Sequence, residues 1–587
     1  MTAFSKKIIR NPVAARGDAL PDELHPVLRR VLAARGIRCE AELRLDLDRL
    51  LPPSLLSGTA EAAALLHRTL EQGGRILILG DFDTDGATSC ALAVRALGLM
   101  GAENVGFLVP NRFEFGYGLS PEIVAKALEQ GPDLLVTVDN GISSIEGVAA
   151  ANAAGVPVLV TDHHIPGEKL PDAAVLVNPN LPGDGFPSKS LAGVGVIFYV
   201  MLALRARLRE RGWFEARGLA EPNLAALLDL VALGTVADVV PLDHNNRILV
   251  QQGLRRIRAG RGCIGINALI EAANRSRARL VAADLGFAIA PRLNAAGRLD
   301  DMSQGIACLL TDDPGTARKM ALQLDGLNRT RRRIEGEMLQ QALAGLDELL
   351  AQEGSRLPLG LCIHRQDWHQ GVTGILAARI REHFHRPVIA FAPARDGSLK
   401  GSARSVPGLH IRDVLAEVAA RHPGLLERFG GHAMAAGLSL RQEQFEPFSA
   451  AFDEEVRRHL GVEDLCGLIH TDGPLEAHEL NLDLAECLRS AGPWGQGFPE
   501  PRFDGEFRII NQRIVGERHL KLLLSPEGSG LQLDAIAFNQ VESLPHAGQA
   551  RCAYRLDVNE FRGARSLQLV IDHIEPVGPE AGAPSRG

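Results

Sequence analysis

Three carboxylates, Asp81, Asp83 and Asp85, alternate along "GDFDTDG" directly after the aliphatic run "RILIL". Side chains of an extended chain alternate with period two, so this spacing sends all three to one side. Unit charges about 6 to 7 Å apart repel by roughly 2.5 kcal/mol at an effective dielectric near 20, so the triplet costs stability unless a cation sits among it. A divalent metal ion meets that need. Asp139 in "VDNG", Asp162, His163 and His164 in "TDHH", and Asp238 in "TVADVVPL" add further oxygen and imidazole donors. Without thiolates, such a set suits Mn²⁺ or Mg²⁺ better than structural zinc, and the imidazole favours manganese. Adjacent His163 and His164 at a strand end are expected on opposite faces, one for an ion and the other for a substrate. Any one Asp alone is more often a helix cap or a turn residue. Together, Asp81, Asp83, Asp85, Asp139, His163, His164 and Asp238 form the pattern of a dinuclear metal centre, which caps do not need.

The elements that must position them have one rhythm. "RILILG" (75–80), "DLLVTVDNG" (133–141) and "VPVLVTDHH" (156–164) are short aliphatic runs that end in polar residues and precede helix-compatible sequence. Continuous apolar strands alternating with helices imply a parallel sheet covered on both faces, with functional groups beyond the strands' carboxyl ends. "LLDLVALGTVADVVPL" (227–242) reads as a helix that stops at Gly234 and leads into an extended piece carrying Asp238. From Thr316 to Glu353 the chain is proline-free and rich in good helix formers, predicting one helix of about 57 Å. A second α/β unit starts near Leu357 with "LPLGLCIH", "QGVTGILAARIREHF", "PVIAFAP" and "KGSARSV", and ends with "GGHAMAAGLSL". After about 466, "FRIINQRIV", "HLKLLLS", "LQLDAIAF", "CAYRLDVNEF" and "SLQLVIDHI" predict the short strands of a small barrel.

Bulk properties set limits. A chain of 587 residues, 46% hydrophobic and 23% charged, has room for three or four domains. Net charge −8 excludes binding nucleic acid through bulk positive field, though bound ions would restore positive charge locally. Eight cysteines without a CxxC pair argue against zinc fingers and a disulfide framework, and fit a reducing cytoplasm. No secretory signal is read in "MTAFSKKIIRNPV". The longest apolar run, 191–204, is shorter than the ~20 residues of a membrane span and reads as a buried helix.

"DFDTDG", "VDNG", "TDHH" and "TVADVVPL", in this order, resemble the four motifs of the DHH phosphoesterase superfamily. "PNRFEFGYGLS", "LAGVGV", "PRLNAAGRLDDM", "GGHAMAAG" and the barrel-like end are similar to its single-stranded-DNA-specific exonucleases over nearly the whole length. The resemblance implies an α/β fold: a parallel-sheet DHH domain and a second α/β DHHA1 domain joined by a long helix, plus a C-terminal OB-type β-barrel. The expected divisions are an N-terminal segment (1–55), the DHH catalytic domain (56–315), the connecting helix (316–353), the substrate-binding DHHA1 domain (354–462), the OB-like domain (466–577) and a loose tail (578–587).

It further implies a metal-dependent exodeoxyribonuclease that cuts phosphodiester bonds 5′ to 3′ with two divalent ions, Mn²⁺ preferred and Mg²⁺ an alternative, releasing 5′-mononucleotides in DNA repair and recombination. Asp85, Asp139, His163 and Asp238 would hold one ion; Asp81, Asp83 and a bridging Asp139 would hold the other; His164 would stabilise charge on the scissile phosphate. Arg112 and Arg298 are suited to gripping phosphate. Ser402, Arg404, Gly431 and His432 lie among small residues that let backbone N–H groups approach an anion, and the active site would lie in the cleft between the two α/β units. Lys521, Phe538, Tyr554, Phe561 and Arg562 are candidate barrel contacts to a single strand. The arginines of "RTRRR" (329–333) fit a solvated helix face and a DNA path equally. A cytoplasmic monomer working with a single-strand-binding protein and a helicase, without a membrane, completes the expectation. Two alternatives remain: a phosphodiesterase of short oligonucleotides or cyclic dinucleotides, which would not need the barrel, and an inactive single-strand-binding scaffold, which would be expected to have lost ligands.

Overall fold

"ILILG", "LLVTV" and "VLVT" are buried at every residue, as strands covered on both faces must be. The computed structural model describes residues 6–12, 20–111, 118–352, 357–394, 396–541, 548–561 and 563–577. After β1 (Lys6–Arg10) come β2 (Ile76–Gly80), β3 (Val105–Leu108), β4 (Leu134–Val138), β5 (Val158–Thr161) and β6 (Val175–Val177). The last five form one parallel sheet in the order β3-β2-β4-β5-β6. Its strand ends deliver Asp81, Asp139 and the Asp162–His164 segment side by side.

The chain divides into two compact units, Val13–Asn328 with Leu482–Pro501, and Met1–Pro12 with Arg329–Asn481 and Arg502–Gly587. The first holds the parallel sheet and its helices. All but the first two residues of the apolar run 191–204 lie in the Gly193–Glu210 helix, whose residues from Gly193 to Met201 are all buried. Among the described residues no helix is long and apolar enough to cross a membrane.

The second unit holds a mixed sheet of β7 (Leu361–His364), β8 (Val388–Pro393), β9 (Ser398–Arg404), β10 (Arg428–Gly431) and β11 (Ala435–Arg441), ordered β10-β11-β9-β8-β7. β12 (Gly467–Thr471) pairs in parallel with β1. β13 (Phe503–Val515), β14 (His519–Pro526), β15 (Leu533–Ala537), β16 (Gln549–Phe561) and β17 (Ala564–Pro576) close a barrel in the order β13-β14-β15-β17-β16. The long helix spans Pro314–Gln352. It starts two residues before the expected Thr316 because Pro is tolerated in a helix's first turn, and Asp313 accepts the Thr316 N–H at 2.7 Å.

One local expectation is corrected. The helix expected to stop at Gly234 continues as Leu228–Ala237, and Asp238 is its helical C-cap rather than part of an extended piece. Gly234 is there for space: a Cβ would lie 2.3 Å from Thr88 Oγ1 and 2.8 Å from Asp85 Oδ1.

Candidate metal centre

The strand-to-helix turn after β2 sorts the acidic triplet. Asp83 caps the Thr84–Leu99 helix, accepting the Gly86 N–H at 3.0 Å, and Asp85 lies in its first turn. The triplet is therefore not displayed on one side of extended chain; period two ends with the strand at Gly80. Asp85, 1% exposed, accepts the Gly193 N–H on Oδ2 at 2.7 Å and the Val194 N–H on Oδ1 at 2.9 Å. These N–H groups open the Gly193–Glu210 helix, whose positive end favours a carboxylate.

Asp139 follows β4 with φ +62, a left-handed backbone that costs a non-glycine residue about 1–3 kcal/mol and clusters at functional sites. Asn140 steadies this turn by donating to Leu79 O at 3.1 Å and Val138 O at 2.9 Å.

His163 and His164 are not on opposite faces. Their ring centroids are 4.5 Å apart, because β5 ends at Thr161 and the pair sits in the following loop. Asp162 organises that loop: its Oδ1 accepts the N–H groups of His163 (2.7 Å) and His164 (3.1 Å) and meets His164 Nδ1 at 2.7 Å. Its Oδ2 accepts the Ile142 N–H at 2.9 Å. Asn180 and Asn178 donate to the His163 and His164 carbonyls at 2.6 and 2.9 Å. Burial opposes the His164 charge, but the hydrogen bond and charge of Asp162 outweigh it and raise the imidazole to about 9.

The donors converge into overlapping groups. Ligand atoms of Asp85, His163 and Asp238 lie within 4.8 Å of one another, as do those of Asp81, Asp83 and Asp139. His163 Nε2 lies 3.1 Å from Asp139 Oδ1 and 3.5 Å from Asp238 Oδ2, which ties the groups together. Carboxylates this close repel by about 3–4 kcal/mol per pair at an effective dielectric near 20. Burial, then the charge of Asp83, pushes Asp85 up to about 7, and burial with the neighbouring Asp85 raises Asp139 and Asp238 well above the carboxylate range. Divalent cations would relieve this repulsion, and the oxygen-rich donor set fits a pair of them; Asp139, His163 and His164 form a further group within the same 4.8 Å.

Glycines keep the centre open. At Gly193 a Cβ would stand 2.6 Å from Asp139 Oδ1, and at Gly297 it would stand 1.9 Å from Phe82 O. Gly297 belongs to the Ala290–Leu299 helix, whose Asn294 accepts the Thr84 N–H and hydroxyl, each at 2.8 Å. Asn294 and Gly297 thus press "PRLNAAGRLDDM" against the "DFDTDG" turn. Gly193, Asn294 and Gly297 were not singled out from sequence, and Asp162 was placed at a strand end without the organising role it has here; the signal was their place inside quoted motifs. Arg298 lies half-buried in the last turn of that helix. Arg112 lies outside the described residues.

In the second unit, Ser402 Oγ lies 3.0 Å from Thr373 Oγ1, and Gly374, on the first turn of the Thr373–Phe384 helix, leaves room for the Arg404 guanidinium. Gly431 (φ +142) and exposed His432 form the turn into β11. Tyr554 is corrected: 1% exposed and edge-on to Phe507, it fills the barrel core and cannot stack a base. Phe538 is 50% exposed, and Lys521 pairs with Asp534 at 3.3 Å. Arg562 and the Phe561 side chain lie outside the described residues. In "RTRRR", Arg331 pairs with Glu335 and Arg333 with Glu337 one turn on, which assigns these two to the helix itself. Another donor group, Glu417, Glu455 and His459, is already balanced by Arg421 on Glu455 at 3.1 Å.

Residues 75–235 match the DHH family, N-terminal domain; residues 358–458 match the DHHA1 domain; residues 471–573 match the RecJ OB domain. The single-stranded-DNA-specific exonuclease RecJ of Salmonella typhimurium is 57% identical over 561 residues, covering 95% of this chain and 97% of that protein. The crystal structure of RecJ in complex with Mn²⁺ from Thermus thermophilus superposes with a TM-score of 0.80 at 31% identity, covering 98% of this chain and 80% of that one. The corresponding Mg²⁺ complex gives 0.75 at 29% identity, covering 98% and 79%. With all three domain matches in order and this identity over nearly its full length, the chain belongs to the RecJ family.

Proposed function

We propose that the chain is a metal-dependent exonuclease that degrades single-stranded DNA from its 5′ end and releases 5′-mononucleotides, in repair and recombination. The observation that carries this reading is the pair of donor groups, joined through the Asp139–His163 contact of 3.1 Å, at the ends of a parallel sheet. The names of the relatives support the substrate, and the Mn²⁺ and Mg²⁺ complexes support the ions.

In this reading Asp85, Asp139, His163 and Asp238 hold one ion, and Asp81, Asp83 and Asp139 the other. When bound, the two ions supply Lewis acidity for an in-line displacement at phosphorus. The chain's own groups do the rest. Asp162 holds Nδ1 of His164, so Nε2 is the nitrogen that donates to a phosphate oxygen, and the same carboxylate keeps the ring charged. Arg298 and Arg112 grip the backbone; Ser402, Arg404, Gly431 and His432 bind a phosphate in the second unit; Lys521, Phe561 and Arg562 are the barrel's contacts to the strand in this reading.

The division of labour follows an N-terminal segment to 55, a catalytic domain over 56–315, the connecting helix 316–353, a substrate-binding domain over 354–462, a strand-binding domain over 466–577 and a tail from 578. A cytoplasmic monomer that receives its strand from a helicase and a single-strand-binding protein fits this activity. The test is degradation of single strands labelled at either end, with and without Mn²⁺. Metal-dependent loss from the 5′ end is expected. Preference for a dinucleotide over a long strand would favour a short-oligonucleotide phosphodiesterase, and binding without cleavage a scaffold.

A further inference from the structure

The glycines of "RFGGHAMAAG" do not serve one purpose. Gly431 has φ +142, and a Cβ there would meet Ala435 O at 2.5 Å, so the turn itself demands glycine. Gly430 and Gly437 are different. Neither has positive φ, and a Cβ on either would meet nothing within 4 Å. Glycine inside a strand costs stability and adds no packing, so neither backbone nor core explains this pair.

Register shows what surrounds them. Gly430 is opposite Gly437, and Gly437 opposite Ser402, forming a row across β10, β11 and β9. In the next row Arg428 is opposite Ser439, and Ser439 opposite Lys400. Opposed residues share a face, as do residues two apart on one strand. Arg428, Lys400, Ser402 and Arg404 therefore look out from the same side as the glycine pair. The other face carries Gly401, Ala403, Leu438 and Leu440 and is buried.

Charge on this face is left over. Arg428 is exposed and makes no ion pair among the described residues, and Lys400 reaches only the exposed Asp396, at 3.8 Å. Arg404, its ionisation depressed by burial, donates to the Ala403 carbonyl at 2.8 Å and pairs with no carboxylate among the described residues. Arg441, further along β11, is paired with Glu427 at 3.5 Å and is not part of this set.

We propose that this face is a nucleotide track: Lys400 and Arg428, on either side of a buried Ser439, hold the phosphate next to the one at Ser402 and Arg404, and the sugar beside the latter lies on Gly430 and Gly437 in the row of Ser402. The rows are about 7 Å apart, two residues' rise, close to the step between phosphates of an extended strand. The track rests on the single-strand reading above and adds Lys400, Arg428, Gly430 and Gly437 to it as positioning residues.

The test uses the full chain with Mn²⁺ on a 20-nucleotide strand and on a dinucleotide. Lys400→Ala with Arg428→Ala should raise KM for the long strand about tenfold, leave kcat within about twofold, and leave the dinucleotide unaffected. The slope of log affinity against log salt should fall by about 0.7, the amount for the one phosphate contact that the pair holds. Gly437→Val points a strand-favouring side chain into open space, so it should keep or raise Tm while raising KM. Unchanged KM and salt slope in the double variant would overturn the track, as would equal losses on both substrates with a lowered Tm. A wild-type chain that binds the 20-mer without degrading it would sink the nuclease reading alone, since the salt slope by fluorescence anisotropy still decides the track.

Discussion

Gly193→Ala asks whether the space beside Asp139 is part of the machinery. The new Cβ would stand 2.6 Å from both Cβ and Oδ1 of Asp139 and 2.8 Å from its Cγ. Ordinary contact begins near 3.4 Å, so something must move by about 0.8 Å. The helix cannot easily retreat, because the Gly193 and Val194 N–H groups are fixed on Asp85 at 2.7 and 2.9 Å. Asp139 cannot easily advance either, being held in a left-handed turn between β4 and Asn140. Overpacking of this kind costs about 1–3 kcal/mol, partly offset by alanine's helix propensity of up to about 1 kcal/mol. The functional cost is larger, since displacing a reacting group by about 1 Å can cost about 10²-fold in rate. Turnover on single-stranded DNA at saturating Mn²⁺ should therefore fall about 100-fold and Mn²⁺ affinity by calorimetry should weaken, with Tm lowered by only a few degrees. Gly98→Ala is the control: it lies in the Thr84–Leu99 helix with nothing within 4 Å of its Cβ, and should add about 0.5–1 kcal/mol of stability with turnover unchanged. Wild-type turnover and Mn²⁺ affinity in Gly193→Ala would refute the reasoning.

Metal removal should give stability a pH dependence of unusual sign. Asp85 rises from 3.8 to about 7 on folding, so the folded chain keeps a proton that the unfolded chain has released; stability in EDTA should fall between about pH 4 and 7, by roughly 4 kcal/mol for this group. Mn²⁺ should then raise Tm more at pH 8 than at pH 5, and a flat EDTA profile across this range would contradict it. His164→Ala should lower turnover about 10²- to 10³-fold with Mn²⁺ affinity kept. Asp162→Asn should lower it less and shift the alkaline fall in rate below its wild-type position, because His164 loses the charge that raises it; adding Asp162→Asn to His164→Ala should change little more if Asp162 acts through His164. Asp504, buried against Arg10, Thr471 and Arg551, is held below the usual carboxylate range despite its burial. Asp504→Asn should cost about 2 kcal/mol at pH 7, a difference from wild type that narrows as pH falls below about 4 and Asp504 itself is protonated; equal melting temperatures at pH 7 would show that the cluster contributes nothing.

The sheet was legible because strands covered on both faces must be apolar at every residue, and "ILILG", "LLVTV" and "VLVT" are. The long helix was legible from a long proline-free stretch of good helix formers, and the five barrel strands from short strand-like runs separated by turn residues. The misreadings share a cause too. Period two was applied past Gly80 and past Thr161, where the strands had ended, and it put Asp81, Asp83 and Asp85 on one side and His163 opposite His164. Gly234 was taken as a helix stop on local propensity, but propensity yields where a side chain would collide with Asp85 and Thr88. Tyr554 looked like a base-stacking residue until the barrel closed around it.

What sequence could not show is what each glycine faces. Gly193, Gly234 and Gly297 have no Cβ because Asp139, Asp85 and the Phe82 carbonyl occupy that space from segments 54, 149 and 215 residues earlier in the chain. Gly431 lacks one because its backbone is turned. Gly430 and Gly437 have neither reason, and that difference is visible only once the strand register is known. Gly98 has neither reason either, so openness alone marks no site. What sets Gly430 and Gly437 apart is the row they share with Ser402, next to the row of Lys400 and Arg428, and that places the track beside these two rather than at the turn between them.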